Sequence, residues 1–171
     1  MKKLFALVLC LFLLPLSALA EAPAVDLSAM TDEQLATLAA DIAAEQTARN
    51  QSATGYIVSG ELGYSFVGLK AVTFGKSKSG DIVTLTFDFS HSDKDAHSFL
   101  MTIMPKVFQD GVELAQDYFT IDANGQLDIK SGVVQEASKS FILTSKSPLE
   151  IEIDELISFD DIKLTATVPV E

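Results

Sequence analysis

Residues Phe99–Leu114 read FLMTIMPKVFQDGVEL, two apolar runs joined by Asp110-Gly111. Glycine tolerates positive φ and aspartate adopts it more readily than most residues, so the pair suits the primed two-residue turn whose twist matches that of the flanking strands. The stretch therefore predicts a β-hairpin. Its first arm, Phe99–Phe108, is apolar on both faces and predicts a central strand. Pro105 has no N–H to give to a ladder, so it predicts a bulge or a strand end turned to an open edge.

Outward from the hairpin the pattern stays at period two. In Ile82–Phe89, Val83, Leu85, Phe87 and Phe89 alternate with Thr84, Thr86 and Asp88, as in a strand with one buried face. Before it, Tyr64–Val67 and Leu69–Phe74 predict one or two strands broken near Gly68, with a turn over Gly75–Gly80. After the hairpin, 118–121 and Leu127–Ile129 are expected to flank an Asn124-Gly125 turn. Ser138–Thr144 should turn Phe141 and Leu143 inward. Leu149, Ile151 and Ile153 alternate with Glu150, Glu152 and Asp154, and Ile162, Leu164, Ala166 and Val168 with Lys163, Thr165 and Thr167. Seven or eight short strands with turn chemistry between them predict an all-β, antiparallel sandwich over residues 61–171.

The amino-terminal part has a different character. Lys2 and Lys3, the apolar run Leu4–Leu16 and Ala18-Leu19-Ala20 match a secretory signal peptide over residues 1–20, cut after Ala20. The run is shorter than the roughly 18 residues a spanning helix needs, so no membrane insertion is expected after cleavage. Residues 21–30 read as a leader. Thr31-Asp32-Glu33-Gln34 is a capping box, with Met30 and Leu35 placed as a hydrophobic staple. An amphipathic α-helix over 31–50 comes next, its narrow stripe of Leu35, Leu38 and Ile42 expected to pack on the following domain or on a partner helix, the other reading being a spacer that frays in water. Residues 51–60 read as a linker.

Loss of residues 1–20 removes Cys10, the only cysteine, so no intrachain disulfide is expected. It also removes two lysines and no acid, leaving 24 Asp plus Glu against 10 Lys plus Arg, a formal charge of −14. That sign repels phosphate backbones and anionic headgroups, which excludes nucleic acid and membrane surface as natural partners. A cationic protein or cell-wall ligand fits it better, and so does a solubilising surface on a monomer.

The run Lys106–Leu114, KVFQDGVEL, resembles the K-V-[YF]-Q-D-G-x-E-L signature of a family of bacterial extracellular immunoglobulin-like domains of unknown function, found in secreted proteins and lipoproteins of Gram-positive bacteria. Val83–Ser90, Gly132–Thr144 and Leu149–Ile153 resemble further strands of that family. The resemblance implies an immunoglobulin-like sandwich and an exported location, and it supplies no catalytic residues; Gln109, the motif's least obvious residue, is expected to fix the turn rather than bind a ligand. The lipid-modified cysteine of the lipoprotein members has no counterpart at the end of this signal segment.

Three groups of residues are candidates for chemistry. His91, Asp93, Asp95 and His97 lie within seven residues, enough imidazole and carboxylate to enclose a divalent metal if the loop converges, which would make the 91–97 loop a site of metal capture or of metal-dependent hydrolysis, although a solvated turn explains the same letters. Asp122-Ala123-Asn124-Gly125-Gln126-Leu127-Asp128 is similar to the start of a calcium loop, but Leu127 stands where that loop has glycine and Val133 where it has its last acid. The acidic rows Glu150, Glu152, Asp154, Glu155 and then Asp160, Asp161 offer charge to a cation or a basic partner, and the first row is equally the wet face of a strand. No nucleophile, base and orienting group are spaced for catalysis, so no enzyme and no cofactor are expected. A binding module is, its recognition surface being a sheet face or the loops at one end of the sandwich.

Overall fold

The structure, a computed structural model, describes residues 30–120, 122–158 and 162–170. The signal segment, its cleavage after Ala20, the leader up to residue 29 and the pair Asp160, Asp161 lie outside the described residues. The chain divides into two units at Leu35, and the second, Ala36–Glu171, holds the body of the first helix and every strand.

That helix, α1 (Asp32–Thr54), starts where the capping box placed it. The Gln34 N–H donates to the Thr31 hydroxyl at 3.2 Å and the Thr31 N–H to Gln34 Oε1 at 2.9 Å. It runs four residues beyond the expected end, because the first residue able to stop it is Gly55 at φ 78°, whose N–H closes on Gln51 O. Residues 51–60, expected as a linker, are thus the last helical turn and the opening of a strand. Of the apolar stripe, Leu35 and Leu38 are half-buried and Ile42 is 50% exposed. Further along, the Thr47 hydroxyl donates to Ala43 O at 2.9 Å and lies 3.5 Å from Thr167 O of the last strand.

Eight strands follow among the described residues: β1 (Val58–Leu62), β2 (Ser65–Ser77), β3 (Gly80–His91), β4 (Ile103–Gln109), β5 (Val112–Glu113), β6 (Gln135–Ile142), β7 (Leu149–Glu155) and β8 (Leu164–Val168). They form two antiparallel four-stranded sheets, ordered β1-β2-β3-β6 and β5-β4-β7-β8. This is the all-β sandwich expected from the alternation. Val67, Leu69, Val83, Leu85, Phe87 and Phe89 of one inner face meet Ile103, Val107, Leu149, Ile151 and Ile153 of the other. The rim between sheets is crossed by residues 115–117, which leave β5 and bond to β6 through Ile142 N–H to Ala115 O and Asp117 N–H to Ser140 O.

Several local expectations need correction. Phe99–Thr102 is a helical turn, α2, and only Ile103–Gln109 is strand. The turn swings Phe99 into the core against Phe87 and Phe89, at centroid distances of 5.1 and 5.8 Å. Pro105 sits in β4 opposite Ile153. Val107 accepts from Leu114 on the β5 side, so Pro105, two residues earlier, turns its nitrogen to the same edge, beyond the reach of the two-residue β5. β2 is continuous, with the irregularity at Leu69/Ala71 rather than at Gly68. Gly68 instead makes room for the Tyr56 ring, which an added Cβ would meet at 2.5 Å, and Tyr56 reaches across it to donate to Asp88 at 3.0 Å. Among the described residues of 118–129 there is no strand and so no sign of the expected hairpin. Asn124–Gln126 is a 3-10 turn, and Ile129 bridges to His97.

Candidate functional site at the loop end

At one end of the sandwich lie the two histidines. His91 closes β3 and is buried, its Nε2 2.9 Å from Ile129 O. A carbonyl only accepts, so Nε2 carries the proton and Nδ1 is left as an acceptor, buried with no partner among the described residues. His97 stands edge-to-face on it, centroids 4.9 Å apart, with its Nε2 2.9 Å from Asp93 Oδ2. That bond, with the Lys94 N–H, holds the Asp93 carboxyl below its ordinary range. Asp95 turns its backbone N–H, not its carboxylate, to Asp93. Of the four candidate ligands, three come together and each pairs one nitrogen or oxygen within the fold. Among the described residues no group of three or more His, Cys, Asp or Glu side chains is disposed to hold a metal ion.

The other candidates are similarly engaged. Both Asp122 oxygens accept backbone N–H groups, from Asn124 at 3.0 Å and from Gly125 and Ser138 at 3.2 and 2.6 Å, so this carboxylate braces a turn. Glu150, Glu152 and Asp154 face outward from β7, with Glu152 paired to Lys163 at 2.7 Å and opposite Lys106.

At the opposite end three connections meet: the β2–β3 turn, the crossing after β5, and the β6–β7 loop. Asp117 ties the first two. Its Oδ1 accepts from the Ser79 hydroxyl at 2.8 Å and the Phe119 N–H at 3.4 Å, and its Oδ2 accepts from the Thr120 hydroxyl. The Thr120 hydroxyl, and after it that of Ser79, hold the carboxyl below the usual range against the opposing effect of burial, so it is ionised at neutral pH. On this braced loop Tyr118 and Phe119 are 73% and 68% exposed, and Lys78 Nζ stands 5.7 Å from the centre of the Phe119 ring.

Gln109 fixes the third connection. Buried at the inner end of β4, it donates from Nε2 to Ser145 O at 3.1 Å and Ser147 O at 2.9 Å. Its Oε1 accepts from the Thr144 and Ser145 N–H groups at 3.0 and 3.2 Å and from the Thr144 hydroxyl at 3.2 Å. The expected turn-fixing role is thus directed at the β6–β7 loop, while Asp110, at φ 53°, ties its own turn to the Ser145 hydroxyl. Beside this loop opens a cleft of about 590 Å³, lined by the apolar Phe74, Leu143 and Val170, by Thr144 and Ser145 of the loop itself, and by Lys76, Lys146 and Asp81.

Sequence reading missed this end. It took Tyr118 for the start of a strand. The available signal was two adjacent aromatics between Asp117 and Thr120, a spacing that lets a carboxylate collect the hydroxyl and N–H of its own loop.

Fold and site together define an all-β sandwich with a braced aromatic loop end. No family model and no curated protein matches the chain. Among solved structures it is similar to a candidate lipoprotein, ycdA, of Bacillus subtilis, at 12% identity and a TM-score of 0.48 over 66% of this chain. A candidate lipoprotein of Staphylococcus aureus matches at 13% identity and 0.48 over 63% of this chain and 84% of its own. The chain spans 38% of the length of the Bacillus protein.

Proposed function

We propose that this is a non-catalytic interaction module of the bacterial cell envelope or medium, which meets its ligand through the loop end carrying Tyr118 and Phe119. The observation that carries the reading is the combination of two large exposed rings with a buried, charge-bearing brace beneath them. Exposed aromatics on a preordered loop bury large area at low entropic cost on binding, which is why such residues dominate interfaces. Export is supported by the signal-peptide pattern of residues 1–20 and by the resemblance of Lys106–Leu114 to a hairpin of extracellular immunoglobulin-like domains. The same resemblance supports a surface role without chemistry.

Co-sedimentation with purified Gram-positive cell walls tests this. The wild-type protein is expected in the wall pellet and the Tyr118→Ser, Phe119→Ser double variant in the supernatant, with unchanged Tm because both rings are already in solvent. Equal pelleting of the two proteins, or none by the wild type, contradicts the reading.

A further inference from the structure

We infer that the ligand of this end is an acidic peptide segment, its carboxylates on Lys76, Lys78 and Lys146 and an intervening aliphatic side chain against Phe74, Leu143 and Val170. This rests on the loop end being the binding surface, and it runs against the sign of the chain as a whole. Residues 21–171 carry a formal charge of −14, yet three of their ten cationic side chains sit on the two turns that border the cleft. Lys76 shares its charge with Asp81 at 3.2 Å, and both are well exposed. Lys78 makes no ion pair among the described residues and lies over the Phe119 ring instead.

The shape of the cleft and the charge of the body choose among anions. A bilayer or a polyphosphate would bring the whole acidic body against dense negative charge, whereas a short segment touches this end alone. The apolar part of the cleft, Phe74, Leu143 and Val170, suits a Leu or Val side chain between acids, a contact that a phosphate chain has no group to make. Lysines are single point charges on flexible stems, so three of them on two turns can each meet a separate carboxylate along a peptide. The two loops that hold these lysines are themselves fixed, one by Asp117 and the other by Gln109, so little ordering remains to oppose binding.

The experiment is fluorescence anisotropy with a labelled synthetic peptide of alternating Glu and Leu, beside its Lys-Leu counterpart and inorganic polyphosphate. Amide shifts are followed by NMR. The Glu-Leu peptide is expected to bind, to shift amides within 76–81 and 143–146, and to lose at least about tenfold in affinity in the Lys76→Glu, Lys146→Glu variant. Lys146→Arg should retain binding, and raising salt from about 50 to 300 mM should weaken it in the wild type. No binding of the Glu-Leu peptide, equal binding of the Lys-Leu peptide, preference for polyphosphate, or occupation of the cleft by a second copy of the chain would each overturn the inference. Wall retention that depends on Tyr118 and Phe119 while the acidic peptide fails removes the ligand class and leaves the surface standing. Failure of both removes the surface.

Discussion

Phe99→Ala should cost about 3–5 kcal/mol of unfolding free energy, the range for deleting a buried phenylalanine. The reason lies in how the ring arrives at its place. It comes neither from a sheet nor from a loop laid over the core, but from α2, the single helical turn that replaces the first half of the expected strand. It enters the space between the sheets against Phe87 and Phe89 of β3, 5.1 and 5.8 Å away, and is wholly buried. Truncation removes the partner of both rings at once. β3 is held on both sides by β2 and β6, so it cannot move in to fill the gap. Urea denaturation followed by circular dichroism should give a lower midpoint at unchanged slope. Phe99→Leu should lose less. A loss below about 1 kcal/mol for the alanine variant would mean that the ring is not a core member.

Gln109→Leu is the second large loss, at about 2–4 kcal/mol, although it replaces a polar side chain by an apolar one of similar size in a buried position. Five hydrogen bonds end on this amide. Leucine would strip partners from the Ser145 and Ser147 carbonyls and the Thr144 and Ser145 N–H groups, each costing about 1–3 kcal/mol where water cannot replace them. Part is recovered because Thr144 borders solvent. Gln109→Glu separates hydrogen bonding from packing. It keeps the shape but sets a carboxylate oxygen against two carbonyls, so it should be at least as unstable at pH 7 and regain stability on acidification, as the protonated acid can donate to one of them. A leucine variant as stable as wild type would remove Gln109 as the staple of the β6–β7 loop.

The strands were legible wherever one face is buried and the other wet. From Val83 in β3 and over Leu149–Ile153 in β7 buried residues alternate strictly with more exposed ones, because each strand is central in its sheet and its register admits no slip. The reading went astray where apolar letters serve no sheet. Phe99–Thr102 looked like strand because it is apolar, but its apolarity serves a plug, and a four-residue apolar run has no period to distinguish the two. The Asp122–Asp128 turn was read from Asn-Gly, yet Asp122 takes those N–H groups into a 3-10 turn. Likewise the attention drawn to His91 and His97 came from residue type, whereas the loop end is assembled from residues 79, 109, 117 and 145, which only the fold brings near one another. Gln109 stood out in the hairpin signature, but its partners lie 35 to 38 residues away, a separation no local pattern reports.

The central physical claim is that the loop end is held in advance of any ligand. Hydrogen–deuterium exchange on the free protein at neutral pH measures it directly. The amides of Asp117, Thr144 and Ser145, bonded to Ser140 O and to Gln109 Oε1, should exchange far more slowly than in an unstructured chain of the same sequence, and in the Gln109→Leu variant the last two should lose that protection. Exchange of all three at the unstructured rate in the wild-type protein would contradict the account.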